Sequence, residues 1–197
     1  MPKIVPGYSE AARAKVTDAA LKVFAKKGYR ETTMDDIAKE LGVTKGALYH
    51  YYRLKVDILK EIYDVSHGAV RNFFHKSLKD SDPIEGIQGL FDLATGSFKE
   101  FVPVQLEILS YATQDEEVKR VIMEDYKEDL VIVESYLQTL VKKGKIRRDV
   151  DMKLLASSLQ ALSLGMLFVN IFGPGTFEDR NTRRDSMALL LGVRSTG

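Results

Sequence analysis

The stretch VTKGALYHYY, Val43 to Tyr52, sets a threonine, a lysine and a glycine ahead of three tyrosines and a histidine. Hydroxyl, ammonium and imidazole groups at helical spacing can donate hydrogen bonds to phosphate oxygens or base edges, and a glycine among them lets a backbone approach a surface closely. Rings of this kind also serve as core filler. Helical spacing divides them: Leu48, Tyr51 and Tyr52 lie at i, i+3 and i+4 and are expected to face inward with Val43. Thr44, Lys45, Gly46, Tyr49 and His50 are then expected to face outward.

A surface helix needs something to hold it. Just upstream, Ala38 is small, Gly42 follows four residues later, and Ile37, Leu41, Val43 and Leu48 are apolar. Two short helices crossing steeply need this pattern: a small residue at the approach, a glycine at the turn and an apolar set to fasten both helices to a third. The reading is a helix-turn-helix. The spacing alone is shared with helical hairpins that have no nucleic-acid partner.

The elements around it read as all-α, without period-2 alternation between hairpin turns. Val16, Ala19, Ala20, Val23 and Phe24 mark a first helix, capped by Ser9 and ended by Gly28. Thr33 and Asp36 resemble a capping box for a second, and Thr44 caps a third. A long helix is expected from about Leu54 to Leu78, and Asp82 with Pro83 starts another through Ile87, Leu90, Phe91 and Phe98. Pro103 opens a shorter helix, and TQDEE caps one through Val118, Ile122, Tyr126, Leu130, Val133 and Leu137. The segment KKGKIRRDVD reads as a loop. The uncharged run from Leu154 to Phe177 approaches the length of a membrane span, but Ser157, Ser158, Gln160, Ser163 and Asn170 interrupt it, so a helix in a core or subunit interface is expected. A last short helix follows Asn181.

The 197 residues carry a net charge of only +1, unevenly distributed. Residues 1–60 hold 12 Lys and Arg against 7 Asp and Glu, and the remainder 17 against 21. A basic first third suits a polyanion. There is no cysteine, which excludes disulfides and thiolate metal sites. The N-terminus lacks the apolar stretch of a secretory signal, so a cytoplasmic protein is expected. No catalytic residues, metal site or cofactor are expected: nucleophile-elbow, dinucleotide-binding, Walker and HExxH patterns are missing, and His67 and His75 are too far apart on one helix to share a zinc unaided. FGPGTF is a turn lacking the Lys-Ser/Thr of a phosphate loop. The expected answer to the enzyme question is no, with a helical interaction module or enzyme as the remaining alternative.

From about Arg13 to Leu59 the sequence AALKVFAKKGYRETTMDDIAKELGVTKGALYHYYRLKVDIL resembles the TetR family of transcriptional repressors, reproducing its F-x-x-x-G-Y, T-x-x-x-I-A and G-V-[ST]-x-G-x-L-Y elements in order. The resemblance implies a helix-turn-helix DNA-binding domain over 1–53 and an effector-binding and dimerisation domain over 54–197. It implies that Thr33 and Lys55 hold phosphate, that Lys45 and Gly46 face the major groove, that Thr44 touches phosphate or a base edge, and that Tyr49 and His50 contact the sugar-phosphate backbone. Leu54 stands where the family has Ser, Asn or Asp, and Val56 where it has Glu or Asp, which leaves the fourth helix without its usual cap.

One recognition helix reads few base pairs, so a homodimer on a palindromic operator is expected. Its interface is assigned to Leu155, Leu159, Leu162, Met166 and Val169 with Leu189 and Leu190 of the tail. The resemblance further implies an effector pocket, for which Phe73, Phe74, Phe91, Phe98, Leu109, Met123, Tyr126 and Met166 are the candidates. Their apolar character favours an elongated effector such as a fatty acyl chain or acyl-CoA, with a planar drug-like or aromatic compound as the alternative.

Overall fold

The computed structural model describes residues 6–78, 84–89, 92, 102–147, 149–171, 177 and 179–193, with side chains from residue 11 onward and that of Ile171 excepted. Among the described residues there are nine helical segments and no strand: α1 Pro6–Lys27, α2 Met34–Leu41, α3 Lys45–Tyr49, α4 Lys55–Ser77, α5 over 84–89, α6 Val102–Ala112, α7 Glu116–Lys142, α8 Met152–Ile171 and α9 Arg180–Leu191. The expected Asp82 cap, Pro83, Leu90, Phe91, Phe98 and the Gly173–Gly175 stop lie outside the described residues. The chain packs as two compact units, one drawn from 1–66 and 103–125, the other from 67–102 and 126–197.

In the first unit, the five apolar residues that define the period of α1 are all buried, together with Ile37, Ala38, Leu48, Ile58 and Leu59. Removing an aliphatic or aromatic side chain of this size from water contributes about 1.5–3 kcal/mol, so this set holds the two short helices α2 and α3, which would be marginal alone. Helix α1 extends back to Pro6, so Ser9 lies inside it and cannot be its N-cap. Thr33 caps α2 as expected, through a reciprocal box with Asp36, and Gly42 ends it at φ 74° with Val43 N–H donating back to the Ala38 carbonyl at 3.0 Å. The missing cap of α4 is replaced from within: Asp57 accepts from the backbone N–H groups of Arg53 and Leu54 at 2.9 and 2.8 Å. An acid three residues into a helix, reaching back to the N–H groups before it, does half the work of a capping box.

The second unit has its own core, built from Phe74, Ile84, Ile87, Tyr136, Leu137, Leu155, Leu159, Met166, Met187 and Leu191 among others. Phe74 stacks on Tyr136 with ring centres 4.2 Å apart. Two glycines on one side of α5 make the close packing possible: a Cβ on Gly86 would meet the Tyr136 hydroxyl at 2.0 Å, and one on Gly89 would meet Phe73 at 2.2 Å. Three arginines crowd the positive end of α9, where cations are unfavourable. Asp179 caps that end, Arg180 and Arg184 each reach Glu85 at 2.8 Å, and Arg183 reaches Asp92 at 3.0 Å. Buried His67 lies 3.5 Å from Asp129, whose carboxyl is pushed up by burial against the pull of His67 and Arg71. His75 is exposed.

Helix α8 is long and apolar enough by composition to cross a membrane, yet Leu155, Ala156, Leu159 and Met166 of it are buried within this core. Of the residues expected at an interface, Leu155, Leu159 and Met166 have partners inside the chain, and Leu162 is half-buried against them. The apolar side chains left at the surface of α8 and α9 are Leu154, Leu164, Val169, Leu189 and Leu190, with Leu189 82% exposed. The uncharged run is apolar all round, and period alone does not say which side turns outward. The effector candidates divide in the same way. Phe74 and Met166 fill the core, Phe73 is half-buried against Gly89, Leu109 and Tyr126 are half-buried, and Met123 is largely exposed.

Candidate nucleic-acid interface

The surface centres on α3. Thr44 is its N-cap, accepting from the Ala47 N–H at 3.2 Å, and Leu48 is the residue that anchors the helix in the core. Lys45, Gly46, Tyr49 and His50 are all exposed, as expected. A Cβ on Gly46 would meet nothing within 4 Å, so no intramolecular contact demands a glycine there. Lys45 is held over the open face by a 2.8 Å ion pair with Asp35 of α2, and its ammonium lies 5.5 Å from the centre of the Tyr49 ring. The Asp35 carboxylate raises the Lys45 pKa, so the lysine presents a full charge.

Two residues of the opening stretch face the other way from expectation. Tyr51 is 66% exposed and Val43 40% exposed, whereas Tyr52 is buried as expected. Helix α3 ends at Tyr49, so beyond it the i+3 relation to Leu48 no longer places Tyr51 on the inner face. Its ring instead packs edge-on against His50, with centres 5.0 Å apart. Burial pushes the Tyr52 hydroxyl up to about 12.

Thr33 begins the helix that carries α3 on its far side. Its hydroxyl donates to Asp36 Oδ2 at 2.7 Å and its backbone N–H to the same oxygen at 2.9 Å. Lys27 of α1 reaches the other oxygen at 2.6 Å. Lys27, with the backbone and hydroxyl donors of Thr33, holds the Asp36 carboxyl far below the usual carboxylate range. A phosphate approaching Thr33 therefore meets a hydroxyl whose proton is directed at Asp36.

Lys55, expected to hold phosphate, is committed elsewhere. Its Nζ donates to the carbonyl of Tyr29, to that of Arg30 at 3.0 Å and to that of Thr32 at 2.7 Å. An ammonium has three donors, and all three are directed at the turn between α1 and α2. Half-burial lowers its pKa. On the opposite side of the turn, Glu107 of α6 accepts the Tyr29 N–H at 3.0 Å and the Arg30 N–H at 2.7 Å. The sequence reading passed over Glu107, because a lone acid in an apolar helix over 70 residues downstream carries no local signal of a long-range partner.

Residues 16–62 match the family described as bacterial regulatory proteins, tetR family. Along most of its length the chain is similar to the HTH-type transcriptional regulator AcrR of Shigella flexneri, with 22% identity over 195 residues, covering 93% of this chain and 89% of that protein. It is 27% identical over 145 residues to the fatty acid metabolism regulator protein of Bacillus subtilis, covering 71% and 73%. The crystal structure of FadR from Bacillus subtilis in complex with stearoyl-CoA superposes with a TM-score of 0.72 at 24% identity, covering 90% of this chain and 97% of that one. A basic first third, a capped helix-turn-helix with its polar face open and an all-α remainder agree with these similarities: residues 16–62 are a helix-turn-helix domain of the tetR family of bacterial regulatory proteins.

Proposed function

We propose that the protein is a cytoplasmic repressor that binds a palindromic operator as a homodimer and releases it on binding an elongated apolar effector of the fatty acyl-CoA class. The observation that carries the operator reading is α3, a helix fastened by Leu48 whose Lys45, Gly46, Tyr49 and His50 are exposed and whose glycine has no internal reason to be one. Major-groove reading needs such a helix, with donors outward and a backbone able to come close. In this reading residues 1–53 read DNA and residues 54–197 bind the effector and dimerise.

Dimerisation is supported by the apolar side chains that α8 and α9 leave exposed, Leu154, Leu164, Val169, Leu189 and Leu190. They would lose their water in a helix-to-helix interface between two copies. The acyl-CoA class is supported by the name of the Bacillus subtilis relative and by the stearoyl-CoA held in the FadR structure, together with the aromatic and aliphatic interior of the second unit. The test is a mobility shift on a duplex selected from the source genome by the protein itself. Stearoyl-CoA is expected to release the duplex at micromolar concentration while a short-chain acyl-CoA does not. An unchanged shift at saturating stearoyl-CoA would discard the acyl-CoA class, and a planar aromatic probe in the same assay tests the alternative.

A further inference from the structure

The turn at 28–32 is gripped from both sides. Gly28 leaves α1 at φ 81°, and a Cβ there would stand 2.5 Å from Glu107 Oε2. That position therefore combines two demands, a left-handed backbone and room for a carboxylate. Each carboxylate oxygen of Glu107 takes one backbone N–H, from Tyr29 and from Arg30. The carbonyls of Tyr29, Arg30 and Thr32 converge on the Lys55 ammonium, which also lies 4.5 Å from the centre of the Tyr29 ring. Thr32 closes the turn by donating its hydroxyl to the Gly28 carbonyl at 2.6 Å. Rings add to the grip: Tyr29 packs against Tyr111 of α6 at 5.9 Å, and the Arg30 guanidinium lies 6.0 Å from the same ring. The next residue is Thr33, the first of the helix-turn-helix.

We infer that Glu107 is a positioning residue for DNA reading, acting with Lys55 as a two-sided clip that fastens α6 to the start of α2. The inference rests on the operator reading above. A carboxylate is a poor choice in a unit that meets a polyanion, because its long-range field opposes binding. Its place here is explained by what it holds. Two N–H groups of the turn, those of Tyr29 and Arg30, and three of its carbonyls point at charged side chains, from α6 on one side and α4 on the other, so the turn cannot shift without breaking charge-assisted bonds. The N-terminus of α2 is thereby tied to α6 and α4, and α3 follows it through the Gly42 turn.

The test sets position against charge. Glu107→Gln removes a negative charge, which through space would tighten binding to DNA, but it leaves one of the two N–H groups without an acceptor. Operator affinity, measured by fluorescence anisotropy over a series of salt concentrations on the duplex selected by the wild type, is expected to fall at least tenfold. The slope of log affinity against log salt is expected to stay unchanged, because no phosphate contact is lost. Glu107→Asp, which keeps the charge and withdraws the carboxylate by one methylene, is expected to fall with it. Amide hydrogen exchange at Tyr29 and Arg30 is expected to quicken about tenfold in both variants, at a temperature where each remains folded. Affinity equal to or above wild type in Glu107→Gln, or unchanged exchange at those two amides, overturns the inference. Should the wild type bind no duplex at all, the operator reading falls by itself, and the exchange data still report whether the clip holds the turn.

Discussion

Two lysines ten residues apart, Lys45 and Lys55, divide the molecule's basic charge between opposite tasks. Lys45 stands on the open face of α3, with its surface partner Asp35 and one aromatic ring nearby. Lys55 is half-buried at the start of α4 with every donor on a backbone carbonyl. Both are cations in the first unit, yet one has an exposed ion pair as its partner and the other has its donors on the backbone. Exposure and the count of free donors, more than charge, separate a residue that reads from a residue that holds.

The largest contrast is expected from Lys55→Met. It strands three carbonyls of the turn, and losing hydrogen bonds to a charged group costs about 1.5–3 kcal/mol each at most, less where water can enter. Thermal unfolding should drop by several degrees, and operator affinity should fall more than tenfold with an unaltered salt slope. A slope reduced by about one, with stability intact, would return Lys55 to the phosphate. Gly28→Ala strikes the same turn from the other side: a strained φ costs about 1–3 kcal/mol, and the clash with Glu107 adds to it. Its unfolding midpoint should fall nearly as far.

Lys45→Ala should leave the unfolding midpoint where it is, since an exposed ion pair holds little, while weakening the preferred operator about tenfold relative to scrambled duplex. A uniform loss across all sequences would move Lys45 from base reading to backbone contact. Gly46→Ala sharpens the comparison because its two effects have opposite sign. Alanine is the better helix former by about 1 kcal/mol and meets no obstacle, so stability should rise slightly as operator affinity falls. The smallest effect concerns pH. The folded pKa of Asp36 is depressed by Lys27 and Thr33, so its contribution is fully present above its unfolded value near 4 and declines as pH falls through the acid range. Asp36→Asn should flatten the acid limb of a stability profile; an unchanged limb would show that other carboxylates set it.

Local patterns made much of this fold legible. The period of α1, the Thr33 box, the Gly42 turn and the Thr44 cap all depend on residues within one or two helical turns of each other, and each is found as expected. Tyr51 and Val43 were misplaced because inward facing was extended along a helical period past the ends of a helix only five residues long. In α8, apolar residues occur on every side, so the exposed residues could not be told from the core ones by type. Leu154 and Leu155 are adjacent and alike, and one is 66% exposed while the other is 5% exposed.

Glu107 marks the boundary between the two kinds of information. The sequence by itself determined the Thr33 and Thr44 caps, the Gly42 turn, which end of the chain is basic and which residues of α3 face outward, because capping, period and local charge are properties of neighbours. Only the tertiary structure decided that the acid of α6 meets the backbone of the turn after α1, 77 and 78 residues away in sequence, and that Lys55 serves that turn from the other side. Such pairings depend on how the helices pack, and backbone N–H and C=O groups, the same in every residue, leave no mark in the sequence to announce them.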